Sequence, residues 1–144
     1  NVPLPAFAGD QAFEQIADRI FLPFMQSFRP QMLLVSVGFD AHWKDPLTSL
    51  GLSTAGYLML ARKMMSLAGE YCDGKIVFVL EGGYDPAIVA HGSEGVARRA
   101  ATRALSSKRP SKTSTTSPCS PHRLPCSSTC RAVAVCPARI SASM

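Results

Sequence analysis

The stretch that decides the fold is Met32-Leu33-Leu34-Val35-Ser36-Val37-Gly38-Phe39-Asp40-Ala41-His42. Its first six residues are almost continuously apolar, which is typical of a strand buried on both faces of a sheet. A second apolar run, Lys75-Ile76-Val77-Phe78-Val79-Leu80, is followed in the same way by Glu81-Gly82-Gly83-Tyr84. We therefore predict two strands, each followed by residues suited to chemistry.

Helical patterns surround these two strands. We expect one helix from Asp10, as its cap, to Phe28, with a kink at Pro23, a second over residues 53–70 and a third over residues 86–105. Strand, helix, strand, helix is the order of an α/β protein with a parallel sheet. Two parallel strands need neighbours, so the pattern also predicts a part of a larger domain.

The charges divide the chain into two unlike parts. All ten carboxylates of the 144 residues lie within residues 1–97, whereas residues 98–144 hold nine Lys or Arg and give the chain its net charge of +5. From residue 106 onward, Ser, Pro and Cys replace the periodic pattern. We predict part of a domain over residues 1–105 and a disordered, low-complexity basic tail over residues 106–144. An out-of-frame reading of a GC-rich gene is our hypothesis for that tail.

The chain shows no membrane or secretion signal. It has no run of about 18 apolar residues, so we predict no membrane span. Residues 1–5 contain neither a basic nor an apolar signal-peptide region. We expect a start in the middle of a longer chain, a cytoplasmic location and reduced cysteines.

The strand ends supply the candidate site. In open α/β sheets, ligands bind beyond the carboxyl ends of the strands, so Asp40 and Tyr84 are expected to face one cleft. A carboxylate there can bind a cation, and a Tyr beside two glycines can approach a substrate. The plainer alternatives are a turn residue for Asp40 and a packing residue for Tyr84. Asp40 with His42 is a weak metal pattern, because zinc sites use three or four ligands.

The motifs carry a family resemblance. Residues 35–42 with Asp45-Pro46-Leu47 resemble the Gly-Phe-Asp-Ala-His…Asp-Pro-Leu segment of histone deacetylases, most closely bacterial and class II-like amidohydrolases. Residues 80–85 resemble the Glu-Gly-Gly-Tyr segment of that family, and residues 1–10 resemble the stretch before both. The resemblance covers about residues 1–104, the C-terminal part of the domain. It implies the arginase/deacetylase α/β fold with a central, mostly parallel sheet.

The resemblance also implies residue roles. Asp40 matches a zinc ligand, Tyr84 the catalytic donor to the substrate oxyanion, Leu47 a residue lining the acyl-lysine channel, and Gly83 a small residue beside the substrate. Two further zinc ligands and a proton-transferring His pair belong to upstream sequence, and His42 is not a ligand in this pattern. The implied activity is Zn²⁺-dependent hydrolysis of acetyl-lysine or acetylpolyamine amides, by a chain that is inactive alone.

Three other interpretations compete with this one. The chain is alternatively a non-catalytic remnant or interaction module, whose basic tail attracts nucleic acid weakly through phosphates. An arginase-like enzyme fits neither motif. A zinc site in the tail is disfavoured by spacings without a C-x₂-C pair. Its residues would be Cys119, His122, Cys126, Cys130 and Cys136. Trp43 either lines the mouth of the channel or packs on the surface.

Overall fold

The computed structural model describes residues 2–107 and 132–135. The predicted strands and helices are present there, and their ends lie within about two residues of the predicted ones. In chain order, the elements are α1 (Asp10–Ile16), a π-helical turn (Ala17–Phe21), α2 (Leu22–Phe28), β1 (Met32–Val37), a 3₁₀ turn (Phe39–Ala41), α3 (Thr54–Tyr71), β2 (Ile76–Leu80), α4 (Pro86–Ser107) and β3 (Ala132–Val135). Within the described residues, the helices lack the length and apolar character that a membrane span requires.

The three strands form one parallel sheet in the order β2-β1-β3. Residues 33–37 of β1 pair with residues 76–80 of β2, and residues 32–35 pair with residues 132–135 of β3. The expectation of a wholly disordered tail from residue 106 is therefore wrong at Ala132–Val135. The reason is local composition, because Val133 and Val135 favour a strand and β1 offers an edge to pair with. The rest of the predicted tail beyond Ser107 lies outside the described residues.

The sheet has one covered face. Along β1, buried residues alternate with half-buried ones, and Val77 and Val79 in β2 are 40% and 45% exposed. The half-exposed face agrees with the expectation that these strands need neighbours outside this chain. Its strand composition suits a parallel sheet covered on both sides, but the described helices pack against one side. That core includes Phe13 of α1, Met25 of α2, Leu33, Val35 and Val37 of β1, Tyr57 and Met64 of α3, and Ile88 of α4.

The start of α3 holds the helices together. Ser53 caps α3, since its hydroxyl accepts a hydrogen bond from the Gly56 N–H at 3.1 Å. Asp10 does not cap α1, whose N-cap is Gly9. Instead, the Asp10 carboxylate accepts bonds from the Ser53 N–H at 2.7 Å and the Ser53 hydroxyl at 2.6 Å. Asp10 therefore joins the start of α1 to the start of α3.

The π-helical turn shifts the buried face of the first helical segment. Ile16 and Ala17 are buried, but Ile20 is 42% exposed although helical spacing predicts it inside. The extra residue of a π turn advances the chain by one position, so Met25 is buried instead of Phe24. Pro23 lies two residues after the end of this turn, in the first turn of α2. Its ring and missing N–H disrupt regular α-helical bonding to the preceding turn, and the wider turn accommodates them.

Candidate functional site

Two loops meet at the carboxyl ends of β1 and β2. The first loop comprises residues 38–53 and the second loop residues 81–85. The Glu81 N–H donates to the Val37 carbonyl at 3.0 Å, and the Phe39 N–H donates to the Gly82 carbonyl at 2.8 Å. These bonds extend the strand pairing beyond the sheet. The parallel arrangement therefore brings the two predicted motifs side by side.

Asp40 carries a buried oxygen without a hydrogen-bond partner in the part of the chain that the structure describes. Its carboxylate lies against Gly82, where an added Cβ would stand 3.2 Å from both carboxylate oxygens. An added Cβ at Gly38 would collide with Oδ1. This Oδ1 is buried and lacks a partner within the described residues. A buried carboxylate oxygen without a donor is costly, and a cation is one partner that removes the cost.

The described residues do not form a metal site on their own. Within residues 2–107 and 132–135, no group of three or more His, Cys, Asp or Glu side chains could surround a metal ion. Asp40 therefore fits a metal as one ligand of several. The Cys and His residues weighed for a second zinc site in the tail lie outside the described residues.

Tyr84 and Leu47 both lie at the surface of the loops. Their side chains are 58% and 66% exposed. The Tyr84 N–H donates to Asp45 Oδ2 at 2.8 Å, and the Leu47 N–H donates to Asp45 Oδ1 at 2.9 Å. One carboxylate thus holds the backbone of both residues, while their side chains remain accessible to a substrate.

Gly83 is required by the fold itself. Its φ of +123° is rarely adopted by other residues. An added Cβ would stand 2.8 Å from Val89 Cγ2 and 2.9 Å from Phe39 Cβ. The small residue at this position is therefore explained by the backbone and by core packing. Contact between Gly83 and a substrate stays a prediction.

His42 supports the first loop from inside. It is 4% exposed, its Nδ1 accepts the Lys44 N–H at 3.2 Å, and its Nε2 lies 3.1 Å from the Thr54 hydroxyl. This arrangement fits a neutral ring with its proton on Nε2. Burial, followed by the charge of Lys44, lowers the pKa of His42. Trp43, by contrast, is 60% exposed, with the Lys44 ammonium 4.9 Å from its ring centroid.

Two residues of the site have roles that sequence reasoning missed. Asp45 entered only as part of a motif, yet it is buried and bonds to both loops. Tyr57 lies in the helix predicted over residues 53–70, and no role of its own was predicted for it. Its buried hydroxyl donates to the Gly38 carbonyl at 2.9 Å, and burial raises the pKa of Tyr57. Sequence could have indicated both roles, because a polar atom at a buried position requires a hydrogen-bond partner.

Comparison with known proteins identifies the family. A family model described as the histone deacetylase domain matches residues 1–100. The chain belongs to the histone deacetylase family. It is 43% identical over 84 residues to a probable deacetylase of Archaeoglobus fulgidus, covering 58% of this chain and 23% of that relative. It is 38% identical over 89 residues to the histone deacetylase-like amidohydrolase of Pseudomonas aeruginosa, covering 62% of this chain and 23% of that protein.

Solved structures of histone deacetylases match the fold. The histone deacetylase Clr3 aligns with a TM-score of 0.59 and 31% identity, over 79% of this chain and 18% of that chain. The HDA15 HD domain aligns with a TM-score of 0.59 and 28% identity, over 66% of this chain and 26% of that chain. The predicted family and its α/β fold are confirmed, in the form of a partial domain. The chain spans about a quarter of the length of the Archaeoglobus fulgidus and Pseudomonas aeruginosa relatives, 23% of each. Asp40, Leu47, Gly83 and Tyr84 stay predictions as site residues.

Proposed function

We propose that this histone deacetylase chain contributes part of a zinc-dependent active site that hydrolyses acetyl-lysine or acetylpolyamine amides. The observation that supports it best is the buried, unpartnered Oδ1 of Asp40 beside the loop that carries Tyr84. Asp40 would hold one side of the metal. A bound zinc ion supplies Lewis-acid activation of a water molecule and of the amide carbonyl.

The other residues of the site have separate roles in substrate binding and catalysis. The Tyr84 hydroxyl donates a hydrogen bond to the substrate oxygen as it becomes an oxyanion. Leu47 lines the path of the acyl chain, and Gly83 gives the second loop the turn that Tyr84 follows. Histidines contributed by sequence outside this chain transfer the protons.

The isolated chain is proposed to be inactive. One carboxylate does not hold zinc tightly. The half-exposed sheet face and the short span relative to known deacetylases also support an incomplete active site. We expect the purified chain to contain no stoichiometric zinc by elemental analysis and to leave an acetyl-lysine peptide intact. Chelator-sensitive hydrolysis by this chain alone would contradict the proposal.

A chimaera tests the complete site. In it, the 89 matching residues of the Pseudomonas aeruginosa amidohydrolase are replaced by those of this chain. We expect it to bind one zinc ion and to hydrolyse an acetyl-lysine peptide or an acetylpolyamine. Asp40→Asn should lose both zinc and activity. Asp73→Asn is the matched control, because its side chain is 91% exposed, and it should keep both.

A second pair of variants separates Tyr84 from metal binding. Tyr84→Phe should lower kcat of the chimaera about 10²–10³-fold, the usual cost of removing an oxyanion donor, without loss of zinc. Tyr71→Phe, at the end of α3, should leave kcat unchanged. A folded, zinc-loaded chimaera that hydrolyses neither substrate would refute the proposed function.

A further inference from the structure

Asp45 is a buried carboxylate whose two oxygens bond to two different loops. The residue is 6% exposed. Oδ1 accepts the Leu47 N–H at 2.9 Å, and Oδ2 accepts the Tyr84 N–H at 2.8 Å, 39 positions along the chain. Its own N–H donates to the His42 carbonyl at 2.8 Å, so the buried His42 fixes its location.

This use of a carboxylate is costly unless it is fully satisfied. An ionised oxygen away from water must be compensated, and N–H donors to a carboxylate make bonds about twice as strong as neutral ones. Both oxygens of Asp45 have such a donor. Asp45 thus differs from Asp40, whose buried Oδ1 has no partner within the described residues.

The two donors belong to the two residues with exposed side chains. Each bonded N–H is one covalent bond from the Cα that carries the side chain. The direction of the Leu47 and Tyr84 side chains is therefore tied to the same carboxylate. The next bond between the loops, from Phe39 to Gly82, lies two residues before Tyr84.

We propose that Asp45 is a positioning residue that fixes Tyr84 and Leu47 relative to one another. It acts through two backbone N–H groups and does not touch the substrate. This inference rests on the proposed function, because it deepens the roles given there to Tyr84 and Leu47. Losing Asp45 should allow the Tyr84 hydroxyl to move away from the reacting oxygen while Asp40 remains in place.

The hydrogen bonds can be tested in the 144-residue chain by NMR. We expect scalar coupling across the bonds from the amide nitrogens of Leu47 and Tyr84 to the Asp45 carboxyl carbon. In Asp45→Ala, both amides should exchange with solvent about 10–100-fold faster, as for lost bonds to a charged group. Asp85→Ala is the matched control. The Asp85 carboxylate accepts two backbone bonds within its own turn, from Ala87 and Ile88.

The outcomes are distinct. Asp85→Ala should leave the exchange of Leu47 and Tyr84 unchanged. Absence of coupling from either amide in the unmodified chain would overturn the proposal, even if Asp45→Ala did not fold. Unchanged exchange of either amide in a folded Asp45→Ala chain would overturn it as well.

Kinetics of the chimaera distinguish the positioning of Tyr84 by Asp45 from a general stabilisation of the fold. Asp45→Ala should lower kcat about tenfold or more without loss of zinc, because small misplacements of a reacting group are costly. In a Tyr84→Phe background, the same change should cost much less, since the group that it positions is already gone. Equal losses in both backgrounds would overturn the positioning role. An inactive wild-type chimaera would contradict the proposed function, whereas the NMR result decides whether Asp45 joins the loops.

Discussion

Phe7 has a backbone conformation that costs free energy. Its φ is +62°, in the left-handed region, and its side chain is 81% exposed. This conformation costs a non-glycine residue about 1–2 kcal/mol, whereas glycine adds about 0.5–1 kcal/mol of unfolded-state freedom. Phe7→Gly should therefore raise the free energy of unfolding by up to about 1 kcal/mol, measured by urea denaturation. Phe7→Ala keeps the strain and should give no gain, so equal shifts in both variants would count against this explanation.

His42 should make the stability of the chain depend on pH. Burial and Lys44 lower its pKa from the ordinary value of 6.5, so the unfolded chain binds this proton more readily than the folded chain. Its stabilising contribution is complete above that value and is lost as the pH falls through the lowered pKa. His42→Asn should remove this part of the dependence in thermal melts between about pH 7.5 and 5. His91→Asn, an exposed control on α4, should keep it.

Neighbouring residues differ in how well sequence predicts them. Asp40 lies in the short turn after β1, and the rule for parallel sheets predicted its place at the carboxyl edge. Asp45 was missed as a link because its partner N–H lies at Tyr84, 39 positions away. No local pattern encodes such a distant pairing. Sequence therefore predicted where the chemistry lies, but it did not predict what holds the loops together.

At the scale of elements, Ser53 holds α1 and α3 together. It caps α3 and also bonds to Asp10 of α1. Ser53→Ala should lower the free energy of unfolding by about 1–2 kcal/mol, since both hydroxyl bonds are lost. Ser66→Ala changes the same residue type at an exposed position of α3 and should be nearly neutral. A loss in Ser66→Ala as large as that in Ser53→Ala would contradict a specific role for the cap.

Sequence predicted the ends of an element correctly where local signals mark those ends. Pro30 and Gly38 enclose β1, and the strand was predicted at its observed residues. The phase of the first helical segment was not predictable, because the π turn before Pro23 adds a residue that hydrophobic periodicity does not reveal. The pairing of β3 with β1 was also missed. Val133 and Val135 have strand propensity, but this short sequence does not specify which strand it pairs with.

At the scale of the whole molecule, the sheet face that carries Val77 and Val79 is half-exposed. Exposed apolar strands near an open sheet edge promote association, and lysine there prevents it. Val79→Lys should therefore reduce self-association of the chain in sedimentation velocity. In the chimaera, the same change should lower the melting temperature if the remainder of the domain covers this face. Val35→Lys places the charge on the buried face and should unfold both proteins.

The π-helical turn at Ala17–Phe21 also bears on how the length of this helical segment can vary. It already contains one residue more than a regular helix needs. Deleting Ile20 would close the turn to ordinary α-helical spacing and leave Phe21, Leu22 and Met25 directed at the same core. A single-codon deletion, which in most helices rotates every later side chain by about 100°, would here keep the buried face but place Pro23 inside a regular helix. Homologous genes one codon shorter at this point would encode an uninterrupted helix with the same buried face only if another residue replaced Pro23.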